Sequence, residues 1–166
     1  MDLRRQTHTQ GASMYRIPIY QVRLVRDGSQ LAERKKVDRA ATAANVLHQY
    51  LDGADREHFV VLLLDTQNQI IGIHTVTVGT LDASLIHPRE VFKAAILANA
   101  ASILLAHNHP SGDPTPSAED RSVTRLLVEA GVALGIEVLD HVVVGDVHRY
   151  HSFRESGMLD GAAIGR

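Results

Sequence analysis

His107 and His109 stand two residues apart, directly after the short apolar run Ser102 to Ala106. In a strand, the period of two sends both imidazoles to one side with their backbones about 6–7 Å apart, a spacing suited to holding a metal ion. The next residues, Pro110 to Pro116, can neither extend a strand nor join a helix, so they form a loop. Ser117 then stands at a helix N-cap with Asp120 three residues on, placed to turn back toward the strand end. Two imidazoles and one carboxylate converging there supply three protein ligands to Zn²⁺ and leave the fourth tetrahedral position open for water, as in a catalytic zinc site. Ser117-x-x-Asp120 is also a variant capping box, which accounts for both residues without a metal, and the two roles are compatible.

His107-Asn108-His109-Pro110, six residues, Ser117, two residues and Asp120 resembles, without mismatch, the JAMM signature of JAB/MPN metalloproteases. GTLDASLIHPREVFKAAI (Gly79 to Ile96), HNHPSGDPTPSAED (His107 to Asp120) and LDHVVVGD (Leu139 to Asp146) are similar to the JAB domain of bacterial RadC proteins, long labelled DNA repair factors, over roughly residues 38 to 155. The resemblance implies a cytidine-deaminase-like α/β fold of three α/β/α layers, a mixed β-sheet with flanking helices, built around zinc. It also implies a Glu from an earlier strand that takes a proton from the zinc-bound water. Glu57, at the mouth of the run FVVLLLD (Phe59 to Asp65), occupies the corresponding place. A solvated strand-end carboxylate is the plainer reading of that residue, and Glu90, in the first helical turn after Pro88, is the alternative base. The implied reaction is attack of metal-activated water on a peptide or isopeptide carbonyl, with Ser117 donating a hydrogen bond to the developing oxyanion. His141, in Leu139-Asp140-His141, matches the RadC pattern and is either an orienting partner for a ligand imidazole or a satisfied core histidine.

The remaining histidines are not assigned to metal: His58 and His74 fall on strands, His87 precedes Pro88, His148 and His151 follow the last strand, and His8 and His48 read as surface residues. Asp113 could line the site mouth, but Gly-Asp-Pro is ordinary turn chemistry and that reading is preferred.

These side chains need elements to position them. Tyr15 to Arg26 alternates (Ile17, Ile19, Val22, Leu24) and predicts a strand ending at Asp27-Gly28. A helix capped by Asp38 follows, with Ala40, Ala41, Ala43, Ala44, Val46, Leu47 and Leu51 on its apolar face. Phe59 to Asp65 is continuously apolar and short, as in a strand buried on both faces. Gln67-Asn68 turns it into Ile70 to Val78. A helix starts at Pro88 with Val91, Phe92, Ala95, Ile96 and Ala100 inward, Ser102 to Ala106 is a buried strand, and a helix over about 117–131 carries Val123, Leu126, Leu127 and Ala130 inward. Ile136 to Val144 is the last strand, giving the order βαββαβαβ.

The chain has 166 residues, 45% hydrophobic and 22% charged, which fits one domain over 15–155 between an unstructured lead (1–14) and a tail (156–166). With no Cys there is no thiolate metal site and no cysteine nucleophile, so chemistry falls to its 10 His, its carboxylates, Ser and Lys. No stretch approaches a membrane span or a secretory leader, and a cytoplasmic protein is expected. Net charge is −2, with ten Lys/Arg against six Asp/Glu ahead of Glu57 and seven against thirteen from there on. The basic run Arg34, Lys35, Lys36, Arg39 could meet an acidic partner, but a solvated helix entrance is the usual reading. The resemblance implies a protein or peptide substrate as the partner. DNA is weakly supported: longer RadC proteins carry a helix-hairpin-helix region ahead of the JAB domain, and a strand and a helix already fill the 56 residues before Glu57. Two further classes stay open: a nucleic-acid-processing factor, and a binding module that keeps zinc for stability alone. As an edge strand, Ile17 to Arg26 could also pair with a second copy in a homodimer.

Overall fold

The computed structural model describes residues 16–32, 35–79, 86–146 and 148–159. Within them, α1 (Ala40–Tyr50), β1 (His58–Leu64), β2 (Ile70–Val78), α2 (Pro88–Leu97), β3 (Ser102–Asn108), α3 (Ala118–Leu134), β4 (Glu137–Val144) and β5 (Tyr150–Ser152) follow in order. The strands form one mixed sheet in the order β2-β1-β3-β4-β5. β3 and β4 are parallel, joined by α3 as the crossover helix, and the other neighbours are antiparallel.

The apolar runs settle at the centre of this sheet. Every residue of β3 and all of β1 after His58 are buried, because helices cover both faces and a central strand so placed has no solvent side. Period two then sorts the side chains. Val60, Leu62 and Leu64 of β1 and Leu104 and Ala106 of β3 pack with Ala43, Ala44 and Leu47 of α1. Phe59, Val61, Leu63, Ile103 and Leu105 pack on the other face with Val91, Phe92 and Ala95 of α2 and Val123 and Leu127 of α3. The result is three α/β/α layers. The odd-numbered residues of β3, including His107, face α3.

Several expectations change. The strand over Tyr15 to Arg26 is not formed: Tyr15 lies outside the described residues, and residues 16–32 carry no strand or helix. Ile17, Ile19, Val22 and Leu24 stand exposed, Ile19 at 97%, because alternation makes a strand only where a neighbouring edge accepts its hydrogen bonds. The edge-strand route to a homodimer loses its basis with it. α1 is capped at Arg39 without a side-chain bond, while Asp38 accepts from the Thr42 hydroxyl at 2.6 Å. Ile96 and Leu126 turn outward, and the three-residue β5 was not anticipated. Among the described residues no helix is long and apolar enough to cross a membrane.

Candidate metal centre

The centre forms where β3 ends and α3 begins. His107 is fully buried on the α3 side of β3, opposite Phe59 of β1. The His109 amide continues the ladder by donating to the Val144 carbonyl at 2.9 Å, so His109 keeps the period-two relation and faces the same way. The loop then turns sharply, with the Gly112 amide donating to the His109 carbonyl at 2.9 Å. It docks on the β4–β5 turn: the Asp146 amide and an Arg149 guanidinium N–H both donate to the Gly112 carbonyl. Gly112 has φ +82°, and any Cβ there would run into the Asp146 carboxylate, so only glycine fits.

Ser117 caps α3 as anticipated, and the box is reciprocal. Its Oγ accepts from the Asp120 amide at 3.0 Å, while Asp120 Oδ2 accepts from the Ser117 amide at 2.7 Å. That bond folds the Asp120 carboxylate back over the helix N-terminus toward the strand end. His107 Nε2 and His109 Nε2 are 3.0 Å apart, His107 Nε2 lies 3.3 Å from Asp120 Oδ1, and His109 Nε2 lies 3.6 Å from Asp120 Oδ2. Ligand atoms at about 2.0–2.1 Å from a tetrahedral zinc are separated by about 3.3–3.4 Å. The donor set is therefore already at chelating separation, and these three residues form a group able to hold a metal ion.

Orientation agrees with distance. His109 Nδ1 lies 2.7 Å from the Asp113 carbonyl, which can only accept, so Nδ1 donates its proton there. Burial opposes ionisation of Asp120, but the nearness of the His107 and His109 rings and the bond from the Ser117 amide outweigh it and hold the carboxyl far below the usual range. The Asp120 bond raises the pKa of His109 against burial. His141 is driven well below its ordinary value, first by burial and then by the nearness of His107. Its ring stacks on Phe153 at 4.8 Å between centroids and meets Phe59 edge-on at 5.5 Å.

Glu57 precedes β1. Pairing of Phe59 with His107, extended two residues toward the mouth, sets Glu57 opposite His109, and its charge acts on that imidazole. The backbone around it is pinned. Asn108 Oδ1 accepts from the His58 amide at 2.7 Å, Asn108 Nδ2 donates to the Arg56 carbonyl at 3.0 Å, and the Gly79 amide donates to the Glu57 carbonyl at 2.8 Å. Glu90, the alternative base, sits on α2 bonded to Lys93 at 2.6 Å with Arg89 at 3.6 Å.

The structure thus brings together His107, His109, Asp120, Ser117, Glu57 and His141, and leaves Glu90 in a surface pair. Sequence reasoning passed over three contributors. Asn108 sits between the two histidines, and the Asp113 main-chain carbonyl acts where turn chemistry was preferred over a place for its side chain at the site mouth. Thr124 follows Asp120 by one helical turn on the buried face of α3, a spacing that could have marked it. His48, read as a surface residue, is half-buried on α1. His87 caps α2 by accepting from the Arg89 amide at 3.2 Å, and His151 meets Ser156 Oγ at 3.0 Å.

Comparison with known proteins adds a family. A family model described as RadC-like JAB domain matches residues 37–158. A UPF0758 protein of Rubrobacter xylanophilus is 55% identical over 126 residues, covering 76% of this chain and 55% of its own. One from Symbiobacterium thermophilum is 62% identical over 105 residues, 63% of this chain and 44% of its own. One from Caldanaerobacter subterraneus is 51% identical over 132 residues, 80% and 56% respectively. The chain spans about half the length of the curated relatives it matches.

Proposed function

The chain belongs to the RadC-like JAB domain family, and from that premise we propose that it is a zinc-dependent hydrolase of the JAMM type that cleaves a peptide or isopeptide bond. The observation that carries the reading is the convergence of His107 Nε2, His109 Nε2 and Asp120 at 3.0, 3.3 and 3.6 Å, close to the edge of a zinc tetrahedron. His107, His109 and Asp120 would hold the ion, which supplies Lewis acidity and makes water a competent nucleophile near pH 7.

The chain's own groups divide the remaining work. Glu57, beside His109 at the strand mouth, would accept the proton of the attacking water and pass it to the leaving amine. Ser117 Oγ spends a lone pair on the Asp120 amide, so its hydroxyl hydrogen is left to donate to the carbonyl oxygen as charge gathers there. Both residues lie on the accessible side, Ser117 exposed and Glu57 half-buried, where a substrate can reach them.

Metal analysis joined to a peptide-library cleavage screen tests the reading. Wild type purified without chelator is expected to carry about one zinc and to cleave, and His109→Ala to do neither. Zinc-free wild type, or cleavage that persists in His109→Ala, would refute it.

A further inference from the structure

We propose that Thr124 is a positioning residue that sets the tautomers of His141 and His107, through a chain of hydrogen bonds with only one permitted direction, so that His107 presents Nε2 as its metal donor. The proposal rests on the metal reading of the centre. What it adds is a residue outside the ligand set, and a physical reason why one of two equivalent-looking ring nitrogens is used.

Direction is fixed at the far end of the chain. Thr124 Oγ1 lies 2.6 Å from the Asp120 backbone carbonyl and 2.6 Å from His141 Nδ1. A carbonyl oxygen only accepts, so the single hydroxyl hydrogen of Thr124 must point at Asp120; placing it elsewhere would leave two oxygens in repulsive contact. Toward His141, Thr124 then offers only lone pairs, and His141 Nδ1 must carry the hydrogen. The His141 ring is fully buried between Phe59 and Phe153, with a hydroxyl and another imidazole as its partners. An imidazolium there would lack a carboxylate partner and lose its hydration, so the ring holds one N–H only. His141 Nε2 is therefore bare. It lies 2.8 Å from His107 Nδ1, which must donate, and His107 Nε2 is left as a lone pair facing His109 Nε2 and Asp120 Oδ1.

One oxygen atom thus joins the two elements of the centre. Thr124 holds the main chain of the α3 ligand Asp120 and, through His141, the ring of the β3 ligand His107.

The experiment uses the whole chain with histidines labelled in nitrogen-15, zinc affinity being read by competition with a chromophoric chelator. Thr124→Val keeps the shape and removes the hydroxyl; Thr124→Ser restores it. Thr124→Val should weaken zinc binding about 10–100-fold, the range for loss of an outer-shell partner, while Thr124→Ser stays within about three-fold of wild type. Long-range proton–nitrogen correlations of zinc-loaded wild type should show the hydrogen of both His107 and His141 on Nδ1. Wild-type affinity in Thr124→Val, or a hydrogen on Nε2 of His141, would overturn the proposal. Wild type that holds no zinc would instead defeat the metal reading, and the His141 tautomer of the metal-free protein would still decide the relay: Nδ1–H supports it, Nε2–H overturns it. Because the tautomer is read in wild type, poor folding of the valine variant leaves the test intact.

Discussion

The two sides of the centre are built from different materials. Behind the ligands, His107, His141, Thr124 and Asp120 are buried and bonded side chain to side chain or through one carbonyl, with Phe59 and Phe153 closing the space. In front, Glu57 and Ser117 are reachable from solvent and are placed by main-chain bonds and by Asn108. A metal site gains from rigidity, since ligands already at chelating separation lose little entropy on binding. A site that admits a polymer must leave its proton-transfer groups uncovered. On the proposed function, the difference predicts that substitutions behind the ligands act on metal retention and those in front act on turnover.

The contrast is sharpest between two carboxylates. Asp120→Asn keeps an oxygen able to accept from the Ser117 amide, so the helix cap survives while the anionic ligand is lost. Zinc affinity should fall by more than the roughly 10–100-fold expected of an outer-shell change, and the protein should leave gel filtration without stoichiometric zinc. Glu57→Gln should keep wild-type zinc content while cleavage falls about 10²–10⁴-fold, the usual contribution of a general base. Loss of zinc in Glu57→Gln would erase the division between the two sides.

A smaller effect tests how the front is held. Asn108→Ala removes the acceptor of the His58 amide and one of two donors to the Arg56 carbonyl, which keeps His58 Nδ1 at 2.9 Å. A buried amide left without its acceptor costs about 1–3 kcal/mol, with partial rescue where water reaches the mouth. Denaturant titration should show a loss of about that size at unchanged zinc affinity. Unchanged stability would mean that water replaces the carboxamide and that Asn108 does not brace the segment around Glu57.

How much of this could be read in the sequence depended on range. His107, His109, Ser117 and Asp120 belong to one strand end, one loop and one helix cap, so local periodicity and capping rules suffice to place them. The central strands were equally legible, because a run such as FVVLLLD has no polar side to expose. Tyr15 to Arg26 misled because alternation states which faces would match and says nothing about whether a sheet edge is available. β5 is three residues long, and its turn is held by the buried Asp140 carboxylate accepting from Ser152 Oγ and the Arg154 amide, bonds with no periodic signal. Thr124 meets His141 across 17 residues, and Asn108 meets His58 across 50. Such pairings exist only once the sheet order is known.

Acid titration of the metal-free protein separates the two sides by sign, with the smallest effect of the set. His141, behind the ligands, has a folded pKa well below its unfolded value of about 6.5, so below that pH the unfolded chain binds a proton that the folded chain refuses. Its contribution to stability is lost as pH falls, at up to about 1.4 kcal/mol per pH unit for one site. Burial also lowers His48, His74 and His151, which are only half-buried or exposed and add a weaker slope of the same sign. His109, in front, runs the other way: Asp120 raises its folded pKa, so its contribution is complete below about pH 6.5 and is lost as pH rises through the folded value. In chelated wild type the two slopes oppose each other around pH 6.5, where the two windows meet. His109→Gln removes the compensating proton, and its unfolding free energy should fall more steeply with acid than that of wild type around that pH. Parallel slopes would show that the folded protein does not hold a proton between His109 and Asp120, and that the two sides titrate as one.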